Sequence, residues 1–178
     1  MFGGGPGGAR DACFTCHGLE GEGDGLAPRL AGQSGGYLLK QLDDYSRKRR
    51  KHEAMEGISA RLGDADKLSV AQYYAAATSP RQVWSSRMPP GAWSLYLDGD
   101  AERGLEPCAK CHGARGEGRG PANPALRNQP AEYVANQLLL WKAAKRRNDP
   151  ENVMGLIAQK LSEAEIETLA AYVSAMTP

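Results

Sequence analysis

Phenylalanine is nearly missing from this chain: only Phe2 and Phe14 occur in 178 residues. The protein brings few large rings of its own to a core. Halves of roughly 90 residues bury only about 60–65% of their unfolded surface, so a bulky apolar group from outside would relieve the shortage. No run of about 18 apolar residues occurs, which excludes a membrane-spanning helix within these residues. A formal net charge of +1 gives no bulk attraction to nucleic acid. Glycine-rich dinucleotide motifs are absent as well. The start, residues 1–10, has neither the apolar stretch nor the cleavage site of a signal peptide and reads as a flexible Gly-rich lead. An exported protein would have its signal or anchor outside this chain.

Cysteine and histidine are scarce too, with four and three. All four cysteines and two of the histidines fall in two pentapeptides, CFTCH at Cys13 to His17 and CAKCH at Cys108 to His112. The third histidine is His52.

The match continues past the pentapeptides. Tyr37, Gln41 and Leu42 correspond to Tyr133, Gln137 and Leu138 at a constant offset of 96 residues. Further on, MEGISARLGDADKLSVAQYYAA parallels MGLIAQKLSEAEIETLAAYVSA at an offset of 99. This is a tandem duplication of a unit near the lower end of domain sizes.

Each unit reads alike. A Gly-rich loop ends at Pro28 or Pro124. A helix follows, with Tyr37, Leu38, Gln41, Leu42 and Tyr45 on one face, matched by Tyr133, Val134, Gln137, Leu138 and Trp141. A polar segment then leads to Met55 or Met154. The last helix of the second unit opens on a capping box, Ser162 to Glu165, and is expected to bury Ile166, Leu169, Ala170 and Val173. Its counterpart runs from about Asp64 to Ala77. No alternating stretch reads as a strand, so the fold class is all-α. The expected organisation is a lead (1–10), a first domain (11–78), a Pro-rich linker (79–92) and a second domain (93–178). WSLYLDGDAERG is expected to open the second domain with a short helix.

Cys-x-x-Cys-His points to covalent attachment of a c-type haem. Two thiols one helical turn apart can both add to vinyl groups along one edge of the macrocycle, and the histidine then lies under the iron. Cys13 and Cys16, with Cys108 and Cys111, are the expected thioether anchors; His17 and His112 are the expected axial ligands. A four-cysteine zinc site leaves both histidines unexplained. A thioredoxin-like pair expects a βαβ context that is missing here. Disulfides within each pair would close very small loops and add little stability.

The far side of each iron needs a sixth ligand. Methionine there raises the potential and blocks small molecules. Of the five methionines only Met55 and Met154 occupy equivalent positions, 38 and 42 residues after their histidines. Met88 lies in the linker with no counterpart and stays unassigned. His52, three residues before Met55, is the alternative ligand of the first iron.

On CFTCHG, CAKCHG, PRLAGQSGGYLLKQL and the methionine segments followed by LSEAEIETLAAYVSA, the chain resembles the di-haem class I cytochromes c, most closely the cytochrome c4 family. The resemblance covers about Asp11 to Thr177. It implies two packed domains, two covalent haem c groups, and proline carbonyls at Pro28 and Pro124 that orient the two histidines. The second unit departs from the first at Arg127 to Gln129, RNQ against AGQ.

The expectation is a periplasmic electron carrier, not an enzyme, passing single electrons between respiratory partners such as a quinol-oxidising complex and a terminal oxidase. It is expected to act as a monomer, with a membrane anchor outside this chain left open. A second reading is an electron-accepting subunit docked to a flavin or sulfur-oxidising dehydrogenase. A third, a di-haem enzyme, requires one iron to lose its methionine. The basic runs at Arg47 to Lys51 and Lys142 to Arg147 read as solvated helix ends, haem-propionate partners or docking surface.

Overall fold

Glycine ends both pentapeptide helices. In the computed structural model, which describes residues 12–78 and 91–176, α1 (Phe14–His17) stops at Gly18 and α6 (Cys108–His112) at Gly113, each with φ 82°. A Cβ at either glycine would sit 2.2 Å from the carboxylate carbon of Glu22 or Glu117. The carboxylates could swing aside, but a φ of 82° with ψ of 157° or 151° is open to glycine alone. The loops beyond fold alike: Gly23 N–H donates to the His17 carbonyl and Gly118 N–H to the His112 carbonyl, both at 2.8 Å.

The first half continues with α2 (Gly35–Ser46), α3 (Glu53–Arg61) and α4 (Asp64–Ala76). The second half contains α5 (Ala92–Leu97), α6, α7 (Ala131–Lys142), α8 (Val153–Lys160) and α9 (Glu163–Ala175). Among the described residues there are isolated bridges but no strand. The fold class is all-α, as expected. The lead, and the linker through residue 90 with Met88 in it, lie outside the described residues.

Helix α9 forms as its pattern predicts. Ser162 Oγ accepts from Glu165 N–H while the Glu165 carboxylate accepts from Ser162 N–H, a complete capping box. Ile166, Leu169, Ala170 and Val173 are all buried. Asp64 and Asp66 sit in the first turn of α4, where a carboxylate complements the helix dipole.

The polar segments expected before the methionines are in part helical. α3 and α8 are short, and Gly57 and Gly155 lower their intrinsic propensity. Packing on α2 and α7 stabilises them instead. Their starts also lack a Ser or Thr signal. Met55 N–H donates to His52 Nδ1 at 3.4 Å, and Met154 N–H to Asp149 Oδ2 at 2.7 Å.

The two cores are unequal. In the second half Tyr96, Leu105, Val134, Leu138, Trp141, Ala158, Leu161, Ile166, Leu169, Ala170, Val173 and Met176 form one buried cluster. Among the described residues, the first-half cluster holds only Leu38, Ala71 and Tyr74 at its centre. Part of the difference is α5, whose Tyr96 is fully buried and donates its hydroxyl to the Gly113 carbonyl at 2.8 Å.

Candidate functional site

Both pentapeptide histidines are held in the same way. His17 and His112 are 8% and 7% exposed. Nδ1 of His17 lies 2.8 Å from the Pro28 carbonyl, and Nδ1 of His112 lies 2.8 Å from that of Pro124. A carbonyl can only accept, so Nδ1 carries the proton in each ring. Burial lowers the pKa of both imidazoles, against the carbonyls that raise it; at His17 the charges of His52 and Arg50 lower it further. A neutral ring protonated at Nδ1 presents its lone pair at Nε2. That is the form a metal requires.

One helical turn separates Cys13 from Cys16 and Cys108 from Cys111, and none of the four is in a disulfide. Burial pushes the Cys108 thiol up to about 11 and raises that of Cys13. Among the described residues no group of three or more His, Cys, Asp or Glu side chains is placed to share one ion. Met55 and Met154 are half-buried in the first turns of α3 and α8. Met154 and Cys108 pack against the same core cluster. His52 is exposed, and its Nδ1 is occupied as the α3 cap. Met176 packs in the second core.

From each basic run one arginine turns inward. Lys48 (φ 58°) and Ala144 (φ 54°), at equivalent positions, adopt left-handed conformations and fold the chain back. Arg50 and Arg146 are thereby buried, 5% exposed each, while the neighbouring Arg49 and Arg147 stay in water. Each arginine crosses to the opposite half. Arg50 donates to Tyr133 Oη at 3.0 Å and Gln137 Oε1 at 2.8 Å; Arg146 donates to Tyr37 Oη and Gln41 Oε1, both at 3.3 Å. Arg50 also lies over the Tyr45 ring and Arg146 over the Trp141 ring, 4.8 and 3.9 Å from the centroids.

All these partners are neutral. No salt bridge to either guanidinium occurs among the described residues. Burial raises the pKa of Tyr133, but Arg50 and Arg146 outweigh it and lower the value, which marks a strongly positive centre. Two buried cations without an anion are costly, so this centre fits carboxylates supplied from outside the chain. Two thiols on one turn and an imidazole with a free Nε2 could hold a haem c in each half, and the buried guanidiniums could take its carboxylates. The basic runs are visible in the sequence, but nothing in it distinguishes Arg50 and Arg146 from their neighbours.

Comparison with known proteins agrees with this geometry. The cytochrome c family model matches residues 9–84 and again 105–177. A thiosulfate dehydrogenase electron acceptor from Stutzerimonas stutzeri is 38% identical, over 95% of this chain and 81% of that protein. The structure of reduced cytochrome c4 from Pseudomonas stutzeri superposes with a TM-score of 0.85 at 31% identity, covering 93% of each chain. A thiosulfate dehydrogenase structure from Marichromatium purpuratum matches with a TM-score of 0.83 at 34% identity, covering 93% of this chain and 36% of that one. The chain therefore belongs to the cytochrome c family, as a di-haem electron carrier of two tandem cytochrome c domains with two covalently bound haem c groups.

Proposed function

We propose that this carrier takes single electrons from a dehydrogenase of reduced sulfur compounds and delivers them to a respiratory acceptor such as a terminal oxidase, as a periplasmic monomer. Likeness to a thiosulfate dehydrogenase electron acceptor supports the donor. Covalent haem attachment, which in bacteria takes place outside the cytoplasm, supports the location. No described helix is long and apolar enough to cross a membrane.

In this reading His17 and Met55 hold one iron and His112 and Met154 the other. Cys13, Cys16, Cys108 and Cys111 form the thioether links. The Pro28 and Pro124 carbonyls fix the imidazoles. Domains 11–78 and 93–178 each contribute one site. Held by these residues, each haem would supply a one-electron ferric/ferrous couple, and the methionines would keep small molecules from the iron.

One observation carries the relay between the sites: Arg50 and Arg146, buried at the contact of the two halves, share neutral acceptors from both. They would hold propionates from both sites at one centre. Held there, the redox groups would lie near the contact, which favours electron exchange within the molecule.

The test is to mix the oxidised holoprotein with purified thiosulfate dehydrogenase and thiosulfate and follow both haems by stopped-flow absorbance. Saturable reduction of both supports the proposal; reduction no faster than with thiosulfate alone removes this donor. A quinol-oxidising complex is then the donor to test next.

A further inference from the structure

Gln33 and Gln129 each clamp the backbone of the opposite half. Gln33 Oε1 accepts from Ala125 N–H at 2.8 Å, and its Nε2 donates to the Ala125 carbonyl at 3.0 Å. Gln129 Oε1 accepts from Arg29 N–H at 3.0 Å, and its Nε2 donates to the Arg29 carbonyl at 2.9 Å. Both glutamines are 5% exposed, so water competes little with these bonds.

The clamped peptides are the ones that hold the imidazoles. Arg29 N–H and Pro28 C=O belong to a single peptide group, and that carbonyl lies 2.8 Å from His17 Nδ1. Ala125 N–H and Pro124 C=O form the equivalent group beside His112. A continuous run of hydrogen bonds thus leads from His17 through one peptide to Gln129 of the second half. Its counterpart leads from His112 to Gln33 of the first half.

Such runs are polarised along their length. A peptide whose N–H donates becomes a stronger acceptor at its own carbonyl. A stronger acceptor draws on the Nδ1 proton and makes Nε2 a more basic ligand. A more basic ligand favours ferric over ferrous iron and lowers the potential.

We propose that Gln33 and Gln129 are positioning residues, each setting from one half the reduction potential of the haem held by the histidine of the other half. This rests on the ligation of the two irons by His17 and His112 proposed above. A simple clamp between halves has a different signature: its loss disturbs both sites together.

The experiment is a potentiometric titration of the holoprotein and its Gln129→Leu and Gln33→Leu variants, with the two haems assigned by their methyl resonances in NMR spectra. The relay predicts a crossed result. Gln129→Leu raises the potential of the His17 haem and leaves the His112 haem in place, and Gln33→Leu does the converse. The Nδ1–H resonance of the affected histidine shifts with it. Gln129→Glu keeps an acceptor for Arg29 N–H and strengthens it, so the His17 haem falls further than the His112 haem. Equal shifts of both haems, shifts confined to the variant's own half, or no shift overturn the proposal. If a leucine variant fails to mature, the glutamate variant decides by the same comparison. A failure of histidine ligation itself would show in the wild-type low-spin spectrum before any variant is made.

Discussion

Arg50 and Arg146, from opposite halves, donate to the same oxygen: Gln137 Oε1 receives them at 2.8 and 2.6 Å. Two buried cations on one neutral acceptor are costly without an anion to share their charge. Both also donate to Gln41 Oε1, at 3.0 and 3.3 Å. The positive centre belongs to neither half.

Removing one of these charges is therefore expected to move both potentials. In the proposed arrangement Arg50→Gln and Arg146→Gln each take a buried positive charge from beside the haem propionates, which disfavours the reduced, more negative state. Both potentials should fall by tens of millivolts, where about 59 mV is a factor of ten for one electron. Potentiometric titration reads it. A variant that shifts only one haem would place its arginine in a single site and not in a shared centre.

The axial ligands separate by variant. Met154→Ala is expected to abolish the near-infrared thioether band of one haem and to open that iron to carbon monoxide when reduced, while the other haem stays closed. Met55→Ala should do the same at the other site. His52→Ala should leave both bands intact and cost about 1 kcal/mol or less, because the ring acts as the α3 cap. A wild-type protein with a single thioether band, whose other iron opens to carbon monoxide in His52→Ala, would make His52 the ligand instead.

Much of this site was legible before the fold. Two Cys-x-x-Cys-His pentapeptides in register identified the cofactor chemistry, and the repeat singled out Met55 and Met154 from five methionines as the ligands proposed above. The α9 capping box and its buried face follow from spacing alone. The helices α3 and α8 were hidden because Gly57 and Gly155 lower their propensity, His52 is an unusual N-cap, and Asp149 binds Met154 N–H from five residues upstream, beyond the usual N-cap spacing. The inward arginines depend on left-handed turns at Lys48 and Ala144, residue types that do not announce such turns. Gln33 and Gln129 left one trace: the same glutamine in two loop copies that otherwise read AG and RN. Their crossed bonds arise only when the halves meet.

The unequal cores predict unequal dependence on haem. With Leu38, Ala71 and Tyr74 at its centre, the first half has little apolar burial of its own among the described residues. Cys13→Ser with Cys16→Ser, which prevents attachment there, should unfold α2 to α4. The corresponding Cys108→Ser, Cys111→Ser protein should retain more of α7 and α9, whose cluster is far larger. Hydrogen exchange resolved by segment reads the difference. Equal protection of both haem-free halves would refute it.

Acid should weaken the second half through one ion pair. Arg103 donates to both Glu165 oxygens, at 3.2 and 2.7 Å, and to Asp100 at 2.7 Å. The guanidinium, followed by the Ser162 cap, lowers Glu165 from its ordinary 4.5 to about 2. A depressed carboxyl pKa means the unfolded chain binds the proton first. The stabilisation is then complete above pH about 4.5 and is lost as pH falls toward 2. The pair is largely open to water, so screening holds the gain to about 1 kcal/mol or less. Glu165→Gln should therefore lower urea stability at pH 6 by that amount and flatten the loss between pH 5 and 2.5. An acid profile as steep in the variant as in the wild type would assign the loss to other carboxyls.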